Sequence, residues 1–168
     1  MCVQIDAHAD LREQYEGSPN SHACAARRIL ETCPVFQIAI RNISEPEERF
    51  RVGCDAVTTH FAEDVAADPA AMLEELASFV RGKTVFLTID LDGLDPTIMP
   101  AVGTPEPGGI DWRLTLDVAR VIAREASRVP VFDVVELAPI PGMIAPDFLA
   151  AKLAYKISSL VLMKPKNG

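Results

Sequence analysis

Two short acidic motifs contain most of the residues whose types and spacing could support chemistry. Asp6, His8 and Asp10 alternate with alanines directly after an apolar run, and Asp90 and Asp92 follow a second apolar run. In an extended chain, residues two apart point to the same side, so each motif gathers its polar side chains on one face. Because ligands of open parallel sheets bind at the carboxyl ends of the strands, we expect the two motifs to meet in one crevice.

Four carboxylates and one imidazole in a single crevice would repel one another, so they must take up protons, spread apart or bind a cation. A divalent metal removes this conflict, and one nitrogen among many oxygens favours Mn²⁺ over a zinc site of the thiolate type. Five ligands are many for one ion, which indicates two ions, and a pair of ions can deprotonate water near neutral pH. The alternative is that each motif is only a solvated strand end with capping aspartates. This alternative could explain either motif alone, but it explains less well why both occur at strand ends.

Two further residues are candidates for chemistry beside the metal. His22 precedes a predicted helix and could act as a general acid for a departing amine, although a lone histidine is more often structural. Glu136 interrupts an apolar strand, where a carboxylate is costly unless it is paired or faces a site, so it is a candidate for holding a cation. His60 is interpreted as structural, and Asp133 as an ordinary polar contact.

Apolar, β-branched runs alternate with helical patterns along the chain. This alternation predicts an α/β fold of three layers, α/β/α, with a mainly parallel sheet. A loop dense in Pro and Gly over 93–109 lacks the spacing of a phosphate-binding loop and is interpreted as a wall of the crevice. Asp111 is a predicted N-cap for a helix over 112–127. The predicted strands are 3–5, 35–40, 57–61, 85–89 and 131–137, and the other predicted helices are 22–31, 69–81 and 146–162.

Length and composition narrow the functional classes. A chain of 168 residues is about the size of one domain, so residues 1–168 are predicted to form a single unit. A net charge of −8 without a cluster of Lys and Arg argues against nucleic-acid partners. The apolar stretches are too short to span a membrane, and the first residues do not have the pattern of a secretory signal. Four scattered cysteines are typical of a reducing compartment, so a cytoplasmic location is predicted.

Taken together, these motifs resemble those of the ureohydrolase family, the manganese enzymes that include arginase and agmatinase. The resemblance covers nearly the whole chain, and the stretch over 6–28 is more similar to bacterial and archaeal agmatinases than to arginases. The matching segments are Asp-Ala-His-Ala-Asp over 6–10, Thr-Ile-Asp-Leu-Asp-Gly-Leu-Asp-Pro over 88–96, Gly-Thr-Pro-Glu-Pro-Gly-Gly over 103–109, and Glu136 followed by Pro139.

The resemblance implies a binuclear Mn²⁺ site within an arginase-like fold. By motif matching, Asp6 and Asp90 would bridge the two ions. Asp10 would hold one ion, while His8 and Asp92 would hold the other. His22 falls at the position of the family's proton-transfer histidine, and Glu136 at the carboxylate that holds the guanidinium of the substrate.

The reaction implied is the hydrolysis of agmatine to putrescine and urea, a step of polyamine biosynthesis. The partner would then be a small cationic guanidino substrate, with arginine or guanidinobutyrate as alternative substrates. A guanidinium is a poor electrophile because it stays charged, so it needs an activated water, an orienting carboxylate and an acid for the departing amine. A second alternative is a non-catalytic fragment or subunit that retains the fold without turnover.

The chain departs from the family pattern in two places. Ala101 stands where the family usually has glycine, and nothing in the sequence matches the family's Gly-Gly-Asp-His-Ser motif, whose histidine completes one metal site. The chain also begins inside a predicted strand. We therefore expect the C-terminal part of a ureohydrolase, lacking the N-terminal strands through truncation, fragmentation or a split gene. Its expected partners are further copies of itself, in a homo-oligomer, or a separate chain that carries the missing part.

Overall fold

The centre of the fold is a parallel sheet of five strands, and each coincides with a predicted strand to within three residues. The computed structural model describes residues 1–162 of the chain. The strands are β1 (Cys2–Ile5), β2 (Val35–Ile40), β3 (Val57–Phe61), β4 (Thr84–Asp90) and β5 (Arg128–Val135).

The order of the strands places β1 beside β4 at the middle of the sheet. The order is β3-β2-β1-β4-β5, and all four pairings are parallel. The chain runs outward from β1 to β3, returns to the other side of β1, and continues outward to β5. Because the direction of winding reverses between β1 and β4, a crevice forms at their carboxyl ends. Asp6 follows β1 directly and Asp90 is the last residue of β4, so both acidic motifs begin at this crevice.

Six helices flank the sheet, and no helix within residues 1–162 combines the length and apolarity needed to cross a membrane. Asp111 caps the fifth helix as predicted, because its side chain accepts a hydrogen bond from the amide of Leu114 at 2.7 Å. The helices are α1 (Ala25–Ile29), α2 (Glu45–Val52), α3 (Ala62–Ala67), α4 (Pro69–Val80), α5 (Trp112–Glu125) and α6 (Ile144–Leu162).

Two parts of the helix prediction are wrong. The predicted helix over 22–31 is a 3₁₀ turn, His22–Cys24, followed by the five-residue α1. The hydrophobic pattern also misses α2 and α3, which are shorter than the window of about 11 residues over which helical periodicity is read. A usable signal for α2 is its capping box, in which the Glu47 carboxylate accepts from the backbone amide of Ser44 at 2.9 Å.

Helices cover both faces of the sheet, as a three-layer arrangement requires, but they cover them unequally. One face packs against α3, α4, α5 and α6 to form the larger apolar core. On the other face, α1 and α2 form a smaller core that contains Cys2 of β1 and Val35 of β2. Over β4 and β5 that second face is open, and the side chain of Val131 there is 55% exposed.

Gly93 allows the turn after β4 to lie against the end of β1. A Cβ atom at this position would lie 2.8 Å from the backbone nitrogen of Asp6 and 2.9 Å from Cγ2 of Ile5. These neighbours are a backbone atom and a buried β-branched side chain, so neither can move without disturbing β1. The absence of a side chain at Gly93 therefore sets how closely the two acidic motifs approach.

We expect Gly93→Ala to destabilise the fold by about 1–3 kcal/mol, the usual cost of overpacking a tight site. Urea denaturation followed by circular dichroism would measure the change. Gly53→Ala is the matched control, because its new Cβ would come no closer than 3.6 Å to any neighbour, the carbonyl oxygen of Arg49. Equal unfolding midpoints for the two variants would contradict this account of Gly93.

Candidate metal centre

A cavity of about 690 Å³ opens at the carboxyl ends of β1, β4 and β5 and extends over the open part of the second face. Its wall includes Gly103 and Thr104, as expected for the Pro- and Gly-rich loop. All of the residues that the sequence singles out for chemistry line it: Asp6, His8, Asp10, His22, Asp90, Asp92 and Glu136.

Asp6, His8 and Asp92 form the tightest group of potential metal ligands within residues 1–162. One ligand atom from each residue lies within 4.8 Å of the others. Nδ1 of His8 is 3.0 Å from Oδ2 of Asp92 and 3.7 Å from Oδ1 of Asp6. The backbone also holds this group, since the amide of Ala7 donates to Asp92 at 3.1 Å and the amide of His8 donates to Asp6.

Asp10 and Asp90 line the same cavity outside this tight group. Asp90 is tied to it because its Oδ1 accepts a hydrogen bond from the amide of Asp92 at 2.9 Å. Asp10 has a left-handed backbone, with φ of 53°. The expected extended geometry over 6–10 is therefore wrong in detail, because β1 ends at Ile5 and the motif continues as a turn that packs beside β2.

A network of buried side-chain amides on β1 and β2 orients Asp6. The side chain of Gln4 donates to Oδ2 of Asp6 at 2.8 Å, and Gln37 donates to Gln4 at 2.9 Å. Thr59 donates in turn to Gln37 at 2.8 Å. Sequence reasoning missed this chain of contacts, although a glutamine inside each of two apolar strands is the signal that could have revealed it.

Burial changes the protonation of the carboxyl groups in the absence of metal. Burial raises the pKa of Asp6, and it raises the pKa of Asp10 to about 8 and that of Asp90 to about 9. Hydrogen bonds to Asp6 and Asp92 raise the pKa of His8 to about 10. Burial also opposes ionisation of Asp92, but the hydrogen bonds from His8 and from the Ala7 amide outweigh it and lower the Asp92 pKa.

These residues fit a divalent cation. Convergent carboxylate oxygens with one imidazole nitrogen are suitable ligands for a hard or borderline metal ion. The raised carboxyl pKa values show how poorly this crevice tolerates unbalanced negative charge, which a bound cation would offset.

His22 and Glu136 lie on the exposed walls of the cavity. The ring of His22 meets the edge of Tyr15, with 5.6 Å between ring centroids. The predicted strand over 131–137 ends at Val135, so Glu136 lies just beyond β5 and has a left-handed φ of 65°. It therefore stands at the strand end rather than inside an apolar strand, which removes the burial cost that its sequence position suggested.

Of the two residues interpreted as structural or ordinary, His60 and Asp133, one lies outside the cavity and the other lines it. His60 lies outside the cavity, stacked on Phe36 with ring centroids 4.8 Å apart, in agreement with a structural role. Asp133 lines the cavity, and its buried Oδ1 has no hydrogen-bond partner among the described residues. The interpretation of Asp133 as an ordinary polar contact is therefore wrong.

Comparison with known proteins agrees with this fold and crevice. The arginase family model matches residues 1–159, so the chain belongs to the arginase family. This confirms the resemblance seen in the motifs.

Curated relatives include the N(1)-aminopropylagmatine ureohydrolase of Synechocystis sp., which is 45% identical over 156 residues, covering 92% of this chain and 50% of the relative. The agmatinase of Bacillus subtilis is 35% identical over 141 residues, covering 82% of this chain and 47% of the relative. The chain thus spans about half the length of the curated relatives it matches.

Solved structures show the same architecture. A putative agmatinase from Clostridium difficile superposes with a TM-score of 0.81 at 30% identity, covering 96% of this chain and 57% of that one. The arginase of Bacillus caldovelox superposes with a TM-score of 0.80 at 25% identity, covering 93% of this chain and 59% of that one. Both likenesses confirm the arginase-like parallel α/β fold.

We expect Mn²⁺ to raise the melting temperature by roughly 5–10 °C at about one hundred times its Kd, since it binds the folded state. Asp6→Asn and Asp90→Asn should each remove most of this gain, as each deletes a predicted bridging carboxylate. Differential scanning calorimetry with and without Mn²⁺ measures the effect. The gain should also be smaller at pH 6 than at pH 8, because the ion must displace protons from carboxyl groups with raised pKa values.

Asp117→Asn is the control for this experiment, because Asp117 lies on α5 and pairs with Arg120 outside the cavity. It should keep the full Mn²⁺ effect. An Asp6→Asn/Asp90→Asn double variant that gains as much as the parent would show that the site is misassigned.

Proposed function

We propose that this protein acts in the hydrolysis of a guanidino compound to urea and an amine, with agmatine as the leading substrate. The observation that carries the proposal is the convergence of Asp6, His8 and Asp92 in a crevice of an arginase-family chain. The N(1)-aminopropyl derivative of agmatine is a second candidate, because a relative 45% identical to this chain bears that name.

The metal would be held by the five residues of the two acidic motifs, and we propose Mn²⁺ as the ion. When bound, such ions lower the pKa of water and so supply a nucleophile at neutral pH. The side chains of this chain then orient the substrate and move the proton. The proposed ligands are Asp6, His8, Asp10, Asp90 and Asp92.

In this proposal Glu136 holds the guanidinium of the substrate. A guanidinium stays charged and presents paired N–H groups, which a carboxylate can accept in a bidentate contact. Glu136 lines the cavity wall from the end of β5, at the edge of the metal crevice. This contact would keep the guanidino carbon within reach of water.

In this proposal His22 protonates the departing amine. Water supplies the oxygen and the protons. Its oxygen adds to the guanidino carbon and becomes the carbonyl oxygen of urea, while the bond from that carbon to the alkyl-bearing nitrogen breaks. The departing nitrogen receives a proton through His22, which is replenished by the proton that water gives up. The products are urea and a primary amine, which is putrescine when the substrate is agmatine. The exposed position of His22 on the cavity wall suits contact with the alkyl-bearing nitrogen of a substrate whose guanidinium lies deeper.

The charges of the cavity favour agmatine over arginine. Arginine carries a carboxylate that would need a cationic partner in the protein. Among the described residues that line the cavity, Arg12 is the only arginine, and there is no lysine. Its guanidinium lies 3.7 Å from the buried Glu47 and over the Tyr15 ring, so it is already engaged by these residues. An acidic cavity of this kind suits the free ammonium group at the far end of agmatine.

In the complete protein, His22→Ala should lower kcat by about 10²–10⁴-fold, the usual contribution of a general acid. Glu136→Gln should raise KM for agmatine about tenfold or more, because a neutral amide cannot pair with a permanent cation. A colorimetric assay of urea release under saturating Mn²⁺ would measure both effects, and metal content should stay at the parental level.

His60→Ala and Glu63→Gln are the controls, since neither residue lines the cavity. Both should retain parental kinetics. Unchanged kinetics in the folded His22 and Glu136 variants would contradict the assigned roles, and absence of urea release from any guanidino substrate would contradict the function itself.

We further propose that a second polypeptide segment covers the open part of the sheet, supplied by a longer version of the chain or by another molecule. The proposal is supported by β5, which forms an edge of the sheet, and by Val131 of that strand, which is 55% exposed on the open face. Unpaired strand edges and large apolar patches are typical interaction surfaces.

The 168-residue polypeptide purified alone is therefore expected to self-associate and to release little urea. Sedimentation velocity would report the association, and the urea assay would report the activity. Adding the portion of the Synechocystis relative that this chain does not match should increase urea release. Robust turnover by a well-behaved monomer would contradict the proposal.

A further inference from the structure

Arg41 joins three separate segments of the chain near the metal crevice. It is the first residue after β2, and all three of its guanidinium nitrogens donate hydrogen bonds to backbone carbonyl oxygens. The shortest are 2.7 Å to the carbonyl of Asp92 and 2.7 Å to that of Glu106. The acceptors lie at the end of β2, in the turn after β4 and in the Pro- and Gly-rich loop: Ala39, Asp92, Gly93, Leu94, Glu106 and Pro107.

Two of these segments carry side chains that surround His8. Asp92 faces Nδ1 of His8 at 3.0 Å, and it also accepts a hydrogen bond from Thr104 at 3.3 Å. On the other side of the ring, Oε1 of Glu106 lies 4.0 Å from Nε2 of His8. That carboxylate is held by Asn42, whose side-chain amide donates to it at 2.6 Å. The segments that Arg41 joins therefore place a carboxylate on each side of the imidazole.

Metal-binding histidines commonly present one ring nitrogen to the metal and direct the other toward an outer carboxylate or carbonyl that fixes the orientation of the ring. In this structure the outer contact is the 4.0 Å approach of Nε2 to Glu106, which is longer than a hydrogen bond. His8 presents Nδ1 to Asp6 and Asp92 and presents Nε2 to Glu106. A displacement of the turn over 91–93 would change the Nδ1 side of the ring, and a displacement of the loop over 104–107 would change the Nε2 side and the Thr104 contact to Asp92.

The shape of the arginine side chain explains why this residue type stands here. Arginine presents donors in a rigid planar fork and cannot lose its charge, so it can reach several carbonyls that point in different directions. Lysine concentrates its donors on one atom and could satisfy only part of this set. Carbonyl oxygens left without Arg41 would be free to move apart.

We propose that Arg41 is a positioning residue for the metal centre. It fixes the turn over 91–93 and the loop over 104–107 relative to β2, and thereby keeps Asp92 and Glu106 in place around His8. This inference rests on the proposed metal site, since it assigns a residue that supports His8 and Asp92 as ligands.

The test is the Kd for Mn²⁺, measured by isothermal titration calorimetry well below the melting temperature of the metal-free protein. Arg41→Lys and Arg41→Gln should each raise the Kd about tenfold or more, in the range usual for outer contacts of a metal site. If Arg41→Gln fails to fold, Arg41→Lys alone carries the test. Arg49→Lys and Arg49→Gln are matched controls on exposed α2 and should retain the parental Kd.

Ile122→Val separates positioning from general stability, because Ile122 is buried on α5 and does not line the cavity. It should lower the melting temperature without changing the Kd, which is also how a merely structural Arg41 would behave. A parental Kd for Mn²⁺ in both Arg41 variants overturns the proposal. A tighter Kd in Arg41→Gln, or a parental Kd in Arg41→Lys, also overturns it, since either result indicates that Arg41 acts on the metal site only through its positive charge. Failure of the parent to bind Mn²⁺ would instead contradict the metal site, and the role of Arg41 would fall with it.

Discussion

The burial of several carboxyl groups at and just beyond the ends of β1 and β4 is the constraint on which the rest of this structure depends. Burial is the main cause that raises the pKa of Asp10 to about 8 and that of Asp90 to about 9, and the neighbouring charge of Asp6 raises both further. The surrounding chain nevertheless forces the groups together. Gly93 permits close contact between two turns, and a chain of buried amides from Gln37 through Gln4 holds Asp6 in place.

The helices cover the sheet unequally, and this determines where the buried carboxyl groups meet solvent. On one face, four helices build the main core and supply most of the apolar burial that stabilises the sheet. On the other face, α1 and α2 cover β1 to β3 and leave the surface over β4 and β5 open. The cavity lies at the border between the covered and open parts, where polar side chains can meet both a rigid backbone and a solvent-accessible space.

Within the cavity, rigid and accessible groups are divided between two regions. Asp6 and Asp92 are buried and held by backbone amides, as expected of groups that must keep a fixed geometry. His22, at the start of the 3₁₀ turn, and Glu136, just beyond β5, are exposed at the walls, where a ligand from solvent can reach them. The buried group therefore suits a fixed geometry, while the exposed residues suit contact with a molecule that enters and leaves the cavity.

Much of the fold, and the set of acidic and imidazole residues that line one cavity, could be predicted from the sequence, because both depend on local patterns. Continuous apolar runs separated by helical segments specify buried parallel strands, and the acidic motifs follow the ends of two of them. The polar supports of the site are harder to recognise. A glutamine inside an apolar strand marks Gln4 as unusual, but it does not identify its partners, and the contact between Asn42 and Glu106 joins residues far apart in the chain.

The sequence by itself determined which residues are able to bind a metal and which strand ends carry them, since composition and alternation are local properties of the chain. Tertiary structure alone decided how these residues meet. The order of the strands brings β1 beside β4, and the left-handed backbone at Asp10 and at Glu136 sets the direction of the chain beyond the ends of β1 and β5. Arg41 shows the same dependence, because its acceptors lie up to 66 positions away along the chain. Contacts over such separations form only once the sheet has assembled, so no local pattern can specify them.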